Sequence, residues 1–161
     1  MTPTLPRIAH EHHERILVTV DHLPALGDAL LAAGAEGSLP ELRATRDFLV
    51  GTLLPHVEAA EAAVYPALER MLQNRHSMAP MRREHAEVRR LVGELEGLVK
   101  QLDKVHLTMG RAMAVRRVLF QLYAVLKIHL TEEDAYVRVV DHGLPAEAAE
   151  LLAAQLEHPI G

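Results

Sequence analysis

Apolar residues recur every three or four positions along several long stretches of this chain, and that spacing is the strongest constraint on its fold. Aromatic residues make up only 3% of the sequence, so leucine, valine and alanine must build the interior, a mixture that favours helices over sheets. The clearest stretch predicts one continuous helix face, formed by Val115, Leu119, Leu122, Leu126, His129, Glu133 and Val137. We therefore expect an all-α protein.

Proline, glycine and capping signals mark the ends of the first two helices. The first helix is predicted over about 7–33, with Pro24 as a kink or the start of a new turn. After the loop GAEGS, Ser38 and Glu41 have the spacing of a capping box, which predicts that Ser38 is the N-cap of the second helix. That helix is predicted to run to about residue 74, with bends at its two internal prolines.

The remaining helices follow the same punctuation. A third helix is predicted over about 77–103, and Thr108 is predicted to cap a fourth helix that stops at Gly143. A short helix over 145–157 completes the chain. Because short connections make neighbouring helices antiparallel, we expect an up-down antiparallel four-helix bundle with a short extra C-terminal helix. A single domain spans 1–161, with its core in about 7–142.

Charge and cysteine content exclude several classes of function. The net charge is −5 and no basic cluster stands out, so nucleic acid is not an expected partner. The absence of cysteine excludes disulfides, thiolate nucleophiles, iron–sulfur clusters and cysteine-type zinc sites, and suits a reducing cytosol. Neither a signal peptide nor a membrane-spanning stretch is evident, so we expect a cytoplasmic protein that does not contact membranes.

Histidines and carboxylates interrupt the apolar face of the fourth helix. His129 and Glu133 lie four residues apart, so both point the same way. A buried carboxylate without a partner costs several kcal/mol or stays protonated, and a cation between the two side chains solves that problem. Asp134 is an alternative or second oxygen donor. The competing interpretation is a salt-bridged or exposed pair at the edge of the helix.

The second and third helices carry similar signals. His56 lies on the apolar arc of the second helix, and Glu61, five residues later, is still inside that arc. His85 heads the apolar stripe of the third helix, where a lone histidine is more often a core or boundary residue than a ligand. We nevertheless include His85, because the other helices offer matching donors.

The first helix offers three candidate histidines. His13 is nearest the centre of its apolar arc, whereas His10 and His12 flank it. We predict His13 as the inward donor, with His10 as the alternative. The remaining histidines lie at turns, helix ends or polar faces and are predicted to be surface residues: His22, His76, His106, His142 and His158.

These signals together predict one histidine from each of four helices and carboxylates from two. An inward-facing site fed by all the helices is how bundles build dinuclear metal centres. Nitrogen and oxygen donors without thiolate suit iron or manganese, and also zinc. Carboxylates able to bridge two ions favour a di-iron centre over structural zinc.

With these residues the chain resembles a known family, the hemerythrin-like proteins with an HHE cation-binding domain. The resemblance covers about 7–142 and is carried by the segments EHHERI, HVEAAEAAVYPALE, REHAEV and HLTEEDAYV. It implies a left-turning four-helix bundle around two non-haem iron ions, bridged by carboxylates and by an oxo or hydroxo group. The ligands that the resemblance implies are His13, His56, Glu61, His85, His129 and Glu133 or Asp134.

The sequence departs from the family pattern at two places. The animal oxygen carriers have a second histidine four residues after that of the third helix, and here that position is Arg89. Ala60 stands four residues after His56, so the carboxylate of that helix must be Glu61. Either one iron lacks a ligand, or another residue supplies it, the candidates being His10, His12 and Tyr136.

The resemblance leaves three functional hypotheses open. In the first, the centre binds O₂ or a related small oxidant such as NO or H₂O₂, for oxygen or redox sensing, storage or detoxification. In the second, the same centre is a catalase-like enzyme that decomposes peroxide. In the third, the chain is a helical interaction protein without metal. No feature of the sequence indicates a particular protein partner.

Overall fold

The computed structural model describes residues 5–141 and 145–157, and in those ranges it contains helices and no strand. This confirms the prediction of an all-α protein. Three long helices are each formed by one uninterrupted element, and a fourth, α2, is assembled from several. The helices are α1 (Leu5–Ala29), α2 (39–71), α3 (Ala79–Leu102), α4 (Met109–Asp141) and α5 (Ala146–Glu157).

Helix α2 contains two π-helical turns, and each precedes a proline. Its segments are Leu39–Phe48, the π turn Leu49–Leu53, Leu54–Ala59, the π turn Ala60–Val64 and Tyr65–Met71. Pro55 and Pro66 are the second residues of the segments that follow the π turns. Because a proline ring crowds the carbonyl four residues earlier and donates no hydrogen bond, a locally widened helix accommodates it. The predicted bends at these prolines are therefore widened turns.

Ser38 directly precedes α2, at the predicted N-cap position, but the predicted capping box is wrong. Ser38 lies in a 3₁₀ turn, Ala35–Ser38, with φ −87° and ψ −7°, and its side chain makes no capping hydrogen bond. The turn continues directly into α2, and the Leu39 N–H donates to the Glu36 carbonyl. A backbone acceptor thus takes the place of the predicted side-chain cap.

The other helix ends lie close to the predicted ones. Helix α1 passes through Pro24 and ends at Ala29, four residues earlier than expected. The Thr108 hydroxyl accepts a hydrogen bond from the Arg111 N–H at 3.4 Å, as a capping residue does. The predicted stop of α4 at Gly143 lies outside the described residues.

Contacts between the helices run in opposite order along the two partners. Between α1 and α4, His10 pairs with Asp134 at 2.8 Å, and Asp28 pairs with Arg116 at 2.7 Å. The early residues of one helix therefore face the late residues of the other. The same reversed order holds between α3 and α4, in the pairs Glu84–His129 and Glu94–Arg117. It also holds between α2 and α3, in the pairs Glu61–His85 and Arg43–Asp103, where Asp103 is the residue that follows α3.

Two apolar clusters fill the interior, and a polar layer separates them. On α4 the larger cluster reaches Leu130, whereas the smaller cluster includes Val137. On α2 the larger cluster reaches Leu53, and the smaller one begins at Ala60. The polar layer lies in the interval, where α4 carries Glu133 and α2 carries His56. Within the described ranges, none of the helices is both long and apolar enough to cross a membrane.

Candidate metal centre

Four histidines and one glutamate meet in the polar layer, and each is at most 1% exposed. Their ligand atoms form two groups, and within each group all three atoms lie within 4.8 Å of one another. Glu133 belongs to both groups. The groups are His13, His56 and Glu133, and His85, His129 and Glu133. The structure thus brings together a histidine from every long helix, with one acidic group at the centre.

The Glu133 carboxylate reaches donors on both sides. Its Oε2 lies 3.1 Å from His13 Nε2, 3.1 Å from His56 Nε2 and 3.8 Å from His129 Nε2. Its Oε1 accepts a hydrogen bond from the Tyr65 hydroxyl at 2.8 Å. Burial raises the pKa of Glu133, but its interactions with His13 and His56 outweigh burial and hold that pKa well below the usual value. Glu133 is therefore an ionised carboxylate in the core.

The geometry of His85 and His129 fits a cation. Their Nε2 atoms face each other at 2.9 Å. The Nδ1 of His85 lies 2.9 Å from a Glu61 oxygen, and the Nδ1 of His129 lies 2.9 Å from a Glu84 oxygen. Because ionised carboxylates only accept hydrogen bonds, each Nδ1 carries the proton of its neutral ring.

Two lone pairs consequently point at one another across the His85–His129 contact. A proton or a metal ion is needed to relieve their repulsion. Burial, and then the electrostatic effect of His129, lower the pKa of His85 to about 4, so His85 does not take up a second proton at neutral pH. A divalent cation satisfies both nitrogens and Glu133 together.

His13 is oriented in the same way on the other side of the layer. Its Nδ1 lies 2.6 Å from Asp134 Oδ1, which turns its Nε2 towards Glu133. Burial lowers the pKa of His13, but its interactions with Asp134 and Glu133 outweigh burial and raise that pKa to about 9. Without a cation, His13 is therefore protonated at neutral pH, and a metal ion must displace that proton.

Three carboxylates outside the layer hold histidine rings through their Nδ1 atoms. Glu61 contacts His85, and the other two such pairs are Glu84 with His129 and Asp134 with His13. Metal-ligating histidines are commonly fixed by such partners, which set the tautomer and the orientation of the ring. The three pairs leave each Nε2 free to face the centre.

The structure places Glu61 and Asp134 beside the two groups rather than within them. Glu61 is 26% exposed in its side chain, and both its oxygens pair with the Arg89 guanidinium, at 3.1 and 2.9 Å. Burial raises the pKa of Glu61, but hydrogen bonds from Arg89 and His85 outweigh it and lower that pKa. Arg89, at the position of the carriers' second histidine, thus binds a carboxylate. Asp134 follows Glu133 by one residue and so points about 100° away around the helix.

The candidate histidines of α1 differ in burial. His13 is 1% exposed and His12 is 8% exposed, whereas His10 is exposed and pairs with Asp134. Tyr136, another candidate for the missing ligand, packs partly buried against the smaller apolar cluster. His22, His76 and His106 are exposed, as predicted, and His142 and His158 lie outside the described residues.

Tyr65 and Glu84 also hold the site, and neither was predicted from the sequence as a site residue. The Tyr65 hydroxyl lies 3.1 Å from His85 Nε2 and donates to Glu133, and the Tyr65 ring stacks on His85 with 5.2 Å between centroids. A tyrosine in an apolar stretch needs a partner for its hydroxyl, which was a usable signal. Glu84 directly precedes His85 in a charged segment, and nothing in its spacing set it apart from Glu87.

The fold and the site together define a helical protein with a buried cation-binding layer. The sequence of residues 4–137 matches the family model of the hemerythrin HHE cation binding domain, so the chain belongs to that family. Comparisons with curated proteins and with solved structures gave no match. The family is one of cation-binding domains, and the histidine and glutamate side chains of this layer are spaced as the ligands of a metal ion are.

Proposed function

We propose that this protein binds two iron ions in the polar layer and that the resulting dinuclear centre binds O₂ or a related small oxidant. The observation that carries this proposal is Glu133, an ionised buried carboxylate within reach of imidazole nitrogens on both sides. A shared carboxylate among nitrogen donors, without sulfur, suits two iron ions better than a structural zinc ion. Manganese and zinc fit the same donor atoms, and elemental analysis would identify either of them in place of iron.

The proposed ligands divide between the two ions. His13 and His56 bind one ion, His85 and His129 bind the other, and Glu133 serves both. We assign Glu61, which the family resemblance implied as a ligand, to the orientation of His85, because its oxygens are already paired with Arg89. Asp134 likewise orients His13.

Iron in such a centre can transfer electrons to a bound oxidant, and the surrounding side chains set the conditions for binding. Each ion receives three protein donors, which leaves coordination positions for a small ligand. Apolar clusters on both sides of the layer exclude water. Burial and the nearby Glu133 raise the pKa of Tyr65, so its phenol keeps its proton and donates to Glu133.

We also propose that the four long helices form one up-down antiparallel bundle and that the chain is a single domain. The reversed order of contacts in the pairs α1–α4, α2–α3 and α3–α4 supports this arrangement. The convergence of all four helices on Glu133 supports a shared core.

Elemental analysis of the purified, iron-reconstituted protein tests the proposal. We expect two iron ions per chain and a visible absorption that changes when O₂ replaces an inert gas. A chain that takes up no transition metal would support the alternative of a helical interaction protein. Gas release from added H₂O₂, compared with free iron, tests the peroxide-decomposing alternative on the same sample.

A further inference from the structure

His12 lies at the edge of the proposed centre and is left unused by the ligand assignment. It is 8% exposed, and its ring centroid lies 4.9 Å from that of His56 and 6.4 Å from that of His13. The side chain therefore borders the half of the layer that would hold the His13–His56 ion. His12 is also one of the candidates for the metal ligand that is lost because position 89 is an arginine and not a histidine.

A neighbouring arginine fixes the tautomer of His12. The Arg15 guanidinium donates from Nη2 to His12 Nδ1 at 3.2 Å. A guanidinium has no acceptor, so Nδ1 must contribute its lone pair, and the proton of the neutral ring is on Nε2. A nitrogen that carries a proton does not bind a metal ion, so in this tautomer His12 is a donor and not a ligand.

The donating edge of His12 faces the interior. Arg15 is exposed and holds the Nδ1 edge, whereas Nε2 is buried and has no hydrogen-bond partner within the parts of the chain that the structure describes. A buried N–H without an acceptor is unfavourable. The ring of which it is part borders His56 and His13, the residues that would hold an ion with open coordination positions.

We propose that His12 donates its Nε2–H to a small anionic ligand bound at the His13–His56 ion. This inference rests on the proposed function, because the ligand would be held by that ion. His12 is thus a positioning residue for the bound ligand, and Arg15 positions His12. Arg89 stands where the animal oxygen carriers have a second histidine, and His12 does not take over the role of that histidine as a metal ligand.

Azide, a small anion that binds ferric iron, is the probe, and four variants of the iron-loaded protein are compared with the wild type. His12→Phe removes the N–H but keeps a ring, and His12→Gln keeps an N–H donor. Arg15→Leu removes the hydrogen bond that fixes the tautomer of His12. His22→Phe is the matched control at an exposed histidine of the same helix. Iron content, melting temperature and the optical titration with azide are measured for each.

We expect His12→Phe to retain its iron and to bind azide about 10- to 100-fold more weakly, the effect of one hydrogen bond to a charged ligand. His12→Gln should recover part of that loss. Arg15→Leu should weaken azide binding less than His12→Phe does, and His22→Phe should leave it unchanged.

Each contrary outcome has a distinct meaning. Loss of iron in His12→Phe would overturn the proposal by making His12 a ligand, and unchanged azide affinity with full iron content would overturn it by making His12 a packing residue. If His12→Phe does not fold, wild-type azide affinity in Arg15→Leu overturns the proposal. A wild-type chain without iron would overturn both this inference and the proposed function.

Discussion

Replacement of Glu133 by glutamine should empty both halves of the centre. The amide offers one neutral oxygen in place of the charged carboxylate that lies 3.1 Å from His13 Nε2 and from His56 Nε2. Because the same group also belongs to the His85–His129 set, the loss affects both ions. We expect the iron content to fall from two ions per chain to less than one.

The loss of metal sets the size of the effect of Glu133→Gln on stability. With free metal at about 100 times its dissociation constant, each bound ion adds about 2.7 kcal/mol to the free energy of unfolding, and two ions add about 5 kcal/mol. For a chain of this length, 1 kcal/mol corresponds to about 2–4 °C in melting temperature. The variant should therefore melt about 10–20 °C below the metal-loaded wild type.

Calorimetry with and without a chelator checks this prediction. Chelation should lower the melting temperature of the wild type but leave that of Glu133→Gln nearly unchanged. The matched control is Glu132→Gln, at the exposed preceding position of α4, which should behave as the wild type does. A Glu133→Gln variant that keeps both ions and still loses stability on chelation would refute the reasoning.

The remaining predictions concern single rings and protons. His129→Ala should lose the ion of the His85 side, whereas His106→Ala, at an exposed position, should keep both; elemental analysis of the two variants checks this. Glu84→Gln should weaken metal binding about 10- to 100-fold, because Glu84 orients the His129 ring at 2.9 Å, and competition with a chelator should show no such change for the exposed Glu87→Gln. Metal affinity should fall as the pH falls below about 9, because the ion must displace the proton that the raised pKa of His13 retains. Titration with cobalt(II) at pH 6 and pH 8 measures that dependence, and equal affinities would contradict it.

Much of the fold was predictable because helix periodicity and turn residues are local signals. Most helix ends fall within a few residues of their predicted positions, and Thr108 caps α4 as expected. The Ser38 capping box failed because a preceding 3₁₀ turn supplied backbone acceptors, which depends on how the loop folds. The π turns of α2 were predictable only as bends at Pro55 and Pro66, since the proline signals crowding but not the way the helix relieves it.

The site was predictable where a side chain faces inward on a regular helix. His129 and Glu133, four residues apart, both lie in the buried layer. Glu61 could not be placed in this way, because a π turn begins at Ala60 and Arg89 draws the carboxylate to the rim of the site. The position of such a carboxylate depends on which side chains pair across helices, and a single sequence does not contain that information. The ligand set and the cytoplasmic location stay predictions.

Anomalous X-ray diffraction at the iron absorption edge, on crystals of the iron-loaded protein, tests the central claim most directly. We predict two anomalous peaks, one on each side of the Glu133 carboxylate, the first next to His13 and His56 and the second next to His85 and His129. Peaks confined to exposed histidines, or a single peak that Glu133 does not contact, would contradict a shared buried centre.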